Sequence, residues 1–101
     1  MGFDINLEKE DGEVLATVGD PQNLLHRLLE RSFDADPFLS EIDWNGDTTF
    51  NRLQMPRFLS GWAELAKQSK SSEEAKLVNE VKQLAERCQG SVHLYLRFVG
   101  D

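Results

Sequence analysis

Apolar and polar residues alternate from the start of the chain. In G-F-D-I-N-L-E-K, residues 2–9, Phe3, Ile5 and Leu7 fall on one side and Asp4, Asn6 and Glu8 on the other, the period-two pattern of a half-buried strand. Glu10-Asp11-Gly12 follows as a turn in which Gly12 is able to take a positive φ, and Val14 to Val18 form a second β-prone run. Together they predict a hairpin. The alternation returns in residues 91–99, where Val92, Leu94, Leu96 and Phe98 share one face and His93, Tyr95, Arg97 and Val99 the other. This predicts a third strand.

Between these strands the period is that of a helix. Asp20-Pro21 reads as a helix start, with Asp accepting from exposed backbone N–H groups and Pro occupying a position whose donor has no partner. Leu24, Leu25, Leu28 and Leu29 then predict a helix from Pro21 to near Arg31. Pro56 fits the first turn of a second helix, whose Phe58, Leu59, Trp62, Leu65 and Ala66 fall on one stripe. Ser69-Lys70-Ser71-Ser72 interrupts it. Ser71 followed by Glu74 is a capping box, and Leu77, Val78, Val81, Leu84, Ala85 and Cys88 form the apolar face of a third helix that Gly90 can close.

The order β-β-α-loop-α-α-β over residues 1–101 predicts one α+β domain. Its three-stranded antiparallel sheet joins the N-terminal hairpin to the C-terminal strand and packs against three helices. The terminal strands are expected to pair with each other.

Residues from about 32 to 54 have no sustained period and predict a long loop, with a short strand or turn near Glu41 to Trp44. Six of the nine aromatics (Phe33, Phe38, Trp44, Phe50, Phe58 and Trp62) fall in residues 33–62, and structureless loops of this length are uncommon without a function. Phe50, Phe58 and Trp62 are expected in the core. Phe38 and Trp44, set among Asp34, Asp36, Glu41, Asp43 and Asp47, have the make-up of an aromatic anchor in an acidic rim.

Charge sharpens that expectation. Of a net −7, residues 1–47 hold twelve acids against three bases (Lys9, Arg27, Arg31), and the remainder six acids against eight bases. Such a field disfavours nucleic acid and anionic membrane and favours a basic protein or a cation. The lone Cys88 can form no internal disulfide, no leader-like pattern follows Met1, and no apolar run approaches the roughly 20 residues of a membrane span. A cytoplasmic setting is expected.

The leading reading is a small acidic protein-binding domain, an immunity or antitoxin-like inhibitor of a basic protein. Its contact residues would be Asp34, Asp36, Phe38, Glu41, Asp43, Trp44 and Asp47, with no cofactor. A calcium loop is one alternative. In D-W-N-G-D-T-T-F-N-R-L-Q, residues 43–54, Asp43, Asn45, Asp47, Thr49 and Asn51 stand at successive ligand positions of an EF-hand-like loop. Thr48 replaces its turn glycine, however, and Gln54 replaces the bidentate glutamate, offering one carbonyl oxygen where two are needed. Pro37 and Pro56 also crowd the flanking helices. The plainer reading is a turn in which Asn45-Gly46 supports positive φ.

A small enzyme is the second alternative. Asp4, Asn6 and Glu8 would face His93, Tyr95 and Arg97 across the sheet, and a histidine beside a carboxylate can move a proton. No nucleophile elbow or phosphate loop accompanies them. The plainer reading is a wet sheet face with cross-strand charge pairs. His26 lies off the leucine stripe and is expected at the boundary or the surface, whereas Cys88 is expected as a buried thiol. Two histidines and one cysteine are too few for a zinc site.

Overall fold

In the computed structural model, which describes residues 3–20, 22–32, 39–43 and 46–100, the chain is an α+β fold. Its strands are β1 (Asp4–Lys9), β2 (Val14–Gly19), β3 (Asp47–Asn51) and β4 (Leu94–Val99); its helices are α1 (Leu24–Ser32), α2 (Met55–Ala66) and α3 (Ser72–Gln89). The strands form one antiparallel sheet in the order β2-β1-β4-β3. The expected pairing of the first and last strands is therefore present, at the centre of the sheet. The expected count of three strands is corrected to four.

The added strand lies in the segment read as loop and turn. Asp47–Asn51 runs beside β4, from Asp47 opposite Val99 to Asn51 opposite Tyr95. Only Phe50 of its five residues is fully buried, so its period-two signal has a single apolar beat. Gly46 does not take a positive φ either; among the described glycines Gly12 alone does, at 90°. Gly46 serves a close approach instead, because a Cβ there would lie 2.8 Å from Asp43 Oδ2. Just upstream, a 3-10 turn at Leu39–Glu41 sends Leu39 and Ile42 into the core and leaves Glu41 exposed.

Two further boundaries and one buried position differ from expectation. Helix α1 begins at Leu24, not Pro21, because Asn23 adopts a left-handed φ of 59° that cannot continue a helix. Asp20 still caps it from a distance, accepting from Leu24 N at 2.9 Å and Leu25 N at 2.7 Å. Strand β4 begins only at Leu94, so Val92 is 58% exposed rather than on the core face, and His93 sits in the preceding turn. On α2, Phe58, Trp62 and Leu65 are buried as the stripe requires, but Ala66 is exposed at the last turn.

Helix α3 matches its sequence signals most closely. Ser71 Oγ accepts from Glu74 N at 3.1 Å, while the Glu74 carboxylate reaches one residue beyond the box to accept from Lys70 N at 2.8 Å. Replacing Ser71 with alanine is expected to cost about 1 kcal/mol, read as a lower urea midpoint at unchanged slope, with glycine costing less.

All three helices cover the sheet face that carries Phe3, Ile5, Leu7, Phe50, Leu96 and Phe98, and one cluster of buried apolar side chains fills the space between. Its centre is aromatic. The Phe98 ring lies 6.0 Å from Phe3, 6.0 Å from Phe50, 5.9 Å from Phe58 and 6.1 Å from Trp62. Trp62 stacks on Phe58 at 5.1 Å and donates its indole N–H to Val78 O at 3.0 Å, tying α2 to α3. Cys88 is buried as expected; its thiol donates to Leu94 O at 3.4 Å, and burial pushes its pKa up to about 11.

Candidate functional site: the second face of the sheet and its acidic edge

The face of the sheet turned away from the helices is polar, because every second residue of each strand points there. The register aligns Thr17, Asn6, Arg97 and Thr49 in one row across all four strands, with Glu8, Tyr95 and Asn51 in the next and Asp4, Val99 and Asp47 on the other side. Of the polar constellation expected from sequence, Asn6, Glu8, Tyr95 and Arg97 are brought together as neighbours. Asp47 joins them through the unexpected strand.

A string of polar contacts crosses this face. Thr17 Oγ1 donates to Asn6 Oδ1 at 2.8 Å, and Asn6 Nδ2 donates to Glu8 Oε2 at 3.3 Å. Glu8 Oε1 lies 3.5 Å from Arg97 Nη1, and the other terminal nitrogen, Arg97 Nη2, donates to Asp47 Oδ2. The Asp47 contact, then the Asp47 and Glu8 charges, raise the Arg97 pKa still further above its ordinary value, so the guanidinium is charged at every working pH. Glu8 is only 7% exposed. Its carboxylate is affordable there because both oxygens have partners.

His93 does not join this network. Its Nδ1 contacts Glu10 at the end of the hairpin, with both side chains more than half exposed. A histidine–carboxylate pair therefore exists, but with Glu10 and not with Asp4 or Glu8, and off the sheet face. His26 pairs with Glu30 one turn along α1, with its Nε2 3.3 Å from Glu30 Oε1, at the half-exposed position expected of it.

Three of the calcium-loop residues are spread along a strand. Asp47, Thr49 and Asn51 occupy alternate positions of an extended strand, which places the first and last about 13 Å apart. Asn51 is engaged otherwise: its side chain accepts from Gln54 N at 3.1 Å, and Gln54 Oε1 accepts from Asn51 N at 2.8 Å. That is a reciprocal capping box which starts the short 3-10 turn Arg52–Gln54 ahead of α2. Asn51 followed three residues later by Gln54 was the available signal for this boundary. Asp43 N donates to Thr48 Oγ1 at 2.8 Å, bending the chain into β3. Among the described residues, no group of three or more His, Cys, Asp and Glu side chains is arranged to hold a metal ion.

The expected partner-binding residues divide in two. Glu41, Asp43 and Asp47 are exposed along the run from the 3-10 turn into β3. Asp34, Asp36, Phe38 and Trp44, with Asn45 of the calcium alternative and Phe33, lie outside the described residues. No described helix is long and apolar enough to cross a membrane. Set against family models, curated proteins and solved structures, the chain finds no match in any of the three comparisons.

Proposed function

We propose that this domain binds a basic protein and inhibits it by occlusion, in the manner of an immunity protein or antitoxin. The observation that carries the reading is the state of the cation on the second face of the sheet: Arg97 is engaged by both Asp47 and Glu8. Its charge is offset within the domain, and what that face and the adjoining edge present outward is negative: Asp4 on β1 and the exposed run Glu41, Asp43 and Asp47. A field of one sign speeds encounter with an oppositely charged partner and rejects others. Phe38 and Trp44 would supply the aromatic anchors, and Tyr95, half-buried on the second face of the sheet, a further one.

Binding measured by interferometry against a panel of basic nucleases and toxin domains tests the reading. A complex is expected whose association rate falls steeply with salt and whose formation blocks the partner's activity. Reversing charge with Glu41→Lys and Asp43→Lys, or truncating with Phe38→Ala and Trp44→Ala, should each weaken it by about 2 kcal/mol or more while the melting temperature holds. Binding that ignores both salt and charge reversal would point to a different surface. Unfolding of the aromatic variants would assign those rings to the core.

A further inference from the structure

The two edges of the sheet differ in kind. Strand β3 opens with an aspartate and follows the exposed Glu41 and Asp43 in the chain, whereas β2, V-L-A-T-V-G, carries no charge and no proline. It is the only one of the four strands without a charged residue. Val14 and Leu15 on it are 47% and 41% exposed. Edge strands usually carry a lysine, a proline or an inward charge that discourages further pairing. β2 has none of these.

Its free hydrogen-bonding groups can be assigned. Asp20 N donates to Phe3 O at 3.1 Å, which makes Phe3 and Asp20 a hydrogen-bonded pair. Alternation along an antiparallel ladder puts Ile5–Val18 and Leu7–Ala16 in the same class, and Asn6–Thr17 and Asp4–Gly19 in the other. Thr17 and Gly19 therefore direct their N–H and C=O groups away from β1. Among the described residues, no strand meets them there.

We propose that β2 pairs antiparallel with β2 of a second copy of this chain, about a two-fold axis through Thr17, giving one continuous eight-stranded sheet. Charge selects this occupant. β2 brings no charge of its own to the contact, so a copy of the same net −7 chain can dock there without setting like charges against each other within the paired strands, and a partner chosen for its basicity finds nothing to read on β2. Pairing about Thr17 sets Glu13 opposite position 21 and Asp20 opposite Val14, so no acid faces an acid; a parallel arrangement in register would stack Glu13 on Glu13.

Shape agrees with charge. In this register the exposed Leu15 lies opposite Gly19, which has no side chain to obstruct it. Ala16 meets Val18 on the helix-covered side, where both already pack against the core, and Thr17 meets its own copy. The axis stands perpendicular to the sheet, so the helices of both copies share one side and the two polar faces merge on the other. The surface assigned to the basic partner is thereby kept, and doubled.

Sedimentation over a concentration series tests the pairing, with hydrogen exchange to locate it. The wild-type mass should rise from the monomer to twice that value, and the amides of Thr17 and Gly19 should become protected as it does. Leu15→Lys and Thr17→Pro should remain monomeric with unchanged far-ultraviolet circular dichroism. On the backbone the proline removes an N–H that points away from β1, and with the side chain it removes the exposed hydroxyl bond to Asn6. A monomer mass persisting to millimolar protein, a dimer in which those two amides still exchange freely, or a Leu15→Lys variant that dimerises like the wild type would each overturn the proposal.

Discussion

Phe98→Ala is expected to lower the unfolding free energy by about 3–5 kcal/mol, a large share of the roughly 5–15 kcal/mol that holds a domain folded. The size follows from position. Phe98 is fully buried on a central strand and meets four other rings, two from strand-side residues and two from α2. Truncation therefore opens a cavity between rigid layers, where neighbours on opposite sides cannot move together to close it. Urea unfolding should show a lowered midpoint, and near-ultraviolet circular dichroism should weaken as Phe58 and Trp62 lose a packing partner. Phe98→Leu, which keeps most of the volume, should lose well under half as much. Equal losses for the two variants would mean that the edge-to-face ring geometry matters more than the filled space.

Asp20→Ala is expected to cost about 2 kcal/mol. The side chain is 3% exposed, and its two oxygens accept from Leu24 N and Leu25 N. Alanine leaves both donors without the carboxylate and removes a negative charge from the start of α1, where the helix dipole favours one. Asp20→Asn restores one acceptor and should recover part of the loss. Exchange of the Leu24 and Leu25 amides provides the local readout: both should quicken in the alanine variant before the rest of α1 does. If they exchange as in the wild type while stability falls, the loss arises elsewhere.

The parts of this fold that were legible in the sequence are those whose period is repeated several times. Helix α3 presents its apolar face over about three turns and carries its own N-cap, and β1 alternates three times before the turn at Gly12. Strand β3 was not legible, because one buried phenylalanine cannot establish a period and the preceding D-W-N-G-D carries every mark of a turn. The start of α1 was displaced because the capping aspartate acts across an intervening left-handed asparagine, a conformation that composition does not announce.

The candidate site follows the same rule. Alternation placed Asn6, Glu8, Tyr95 and Arg97 on one face correctly, since a strand fixes the side on which each residue projects. It could not supply the second carboxylate for Arg97, which arrives from Asp47 on a strand fifty residues away in the chain. His93 was assigned to the face by parity, yet parity ends where β4 ends, and the side chain turned to Glu10 instead.

The central pairing of β1 with β4 governs the order in which this protein can be made. A ribosome makes Asp4–Lys9 ninety residues before Leu94–Val99, so the inner edge of the hairpin stays without its neighbour while everything between the two strands is made. Contacts of such sequence separation are entropically slow to form. Ile5 and Leu7 therefore lack their sheet neighbours Phe98 and Leu96 on the nascent chain until β4 emerges, and the sheet cannot be completed before then.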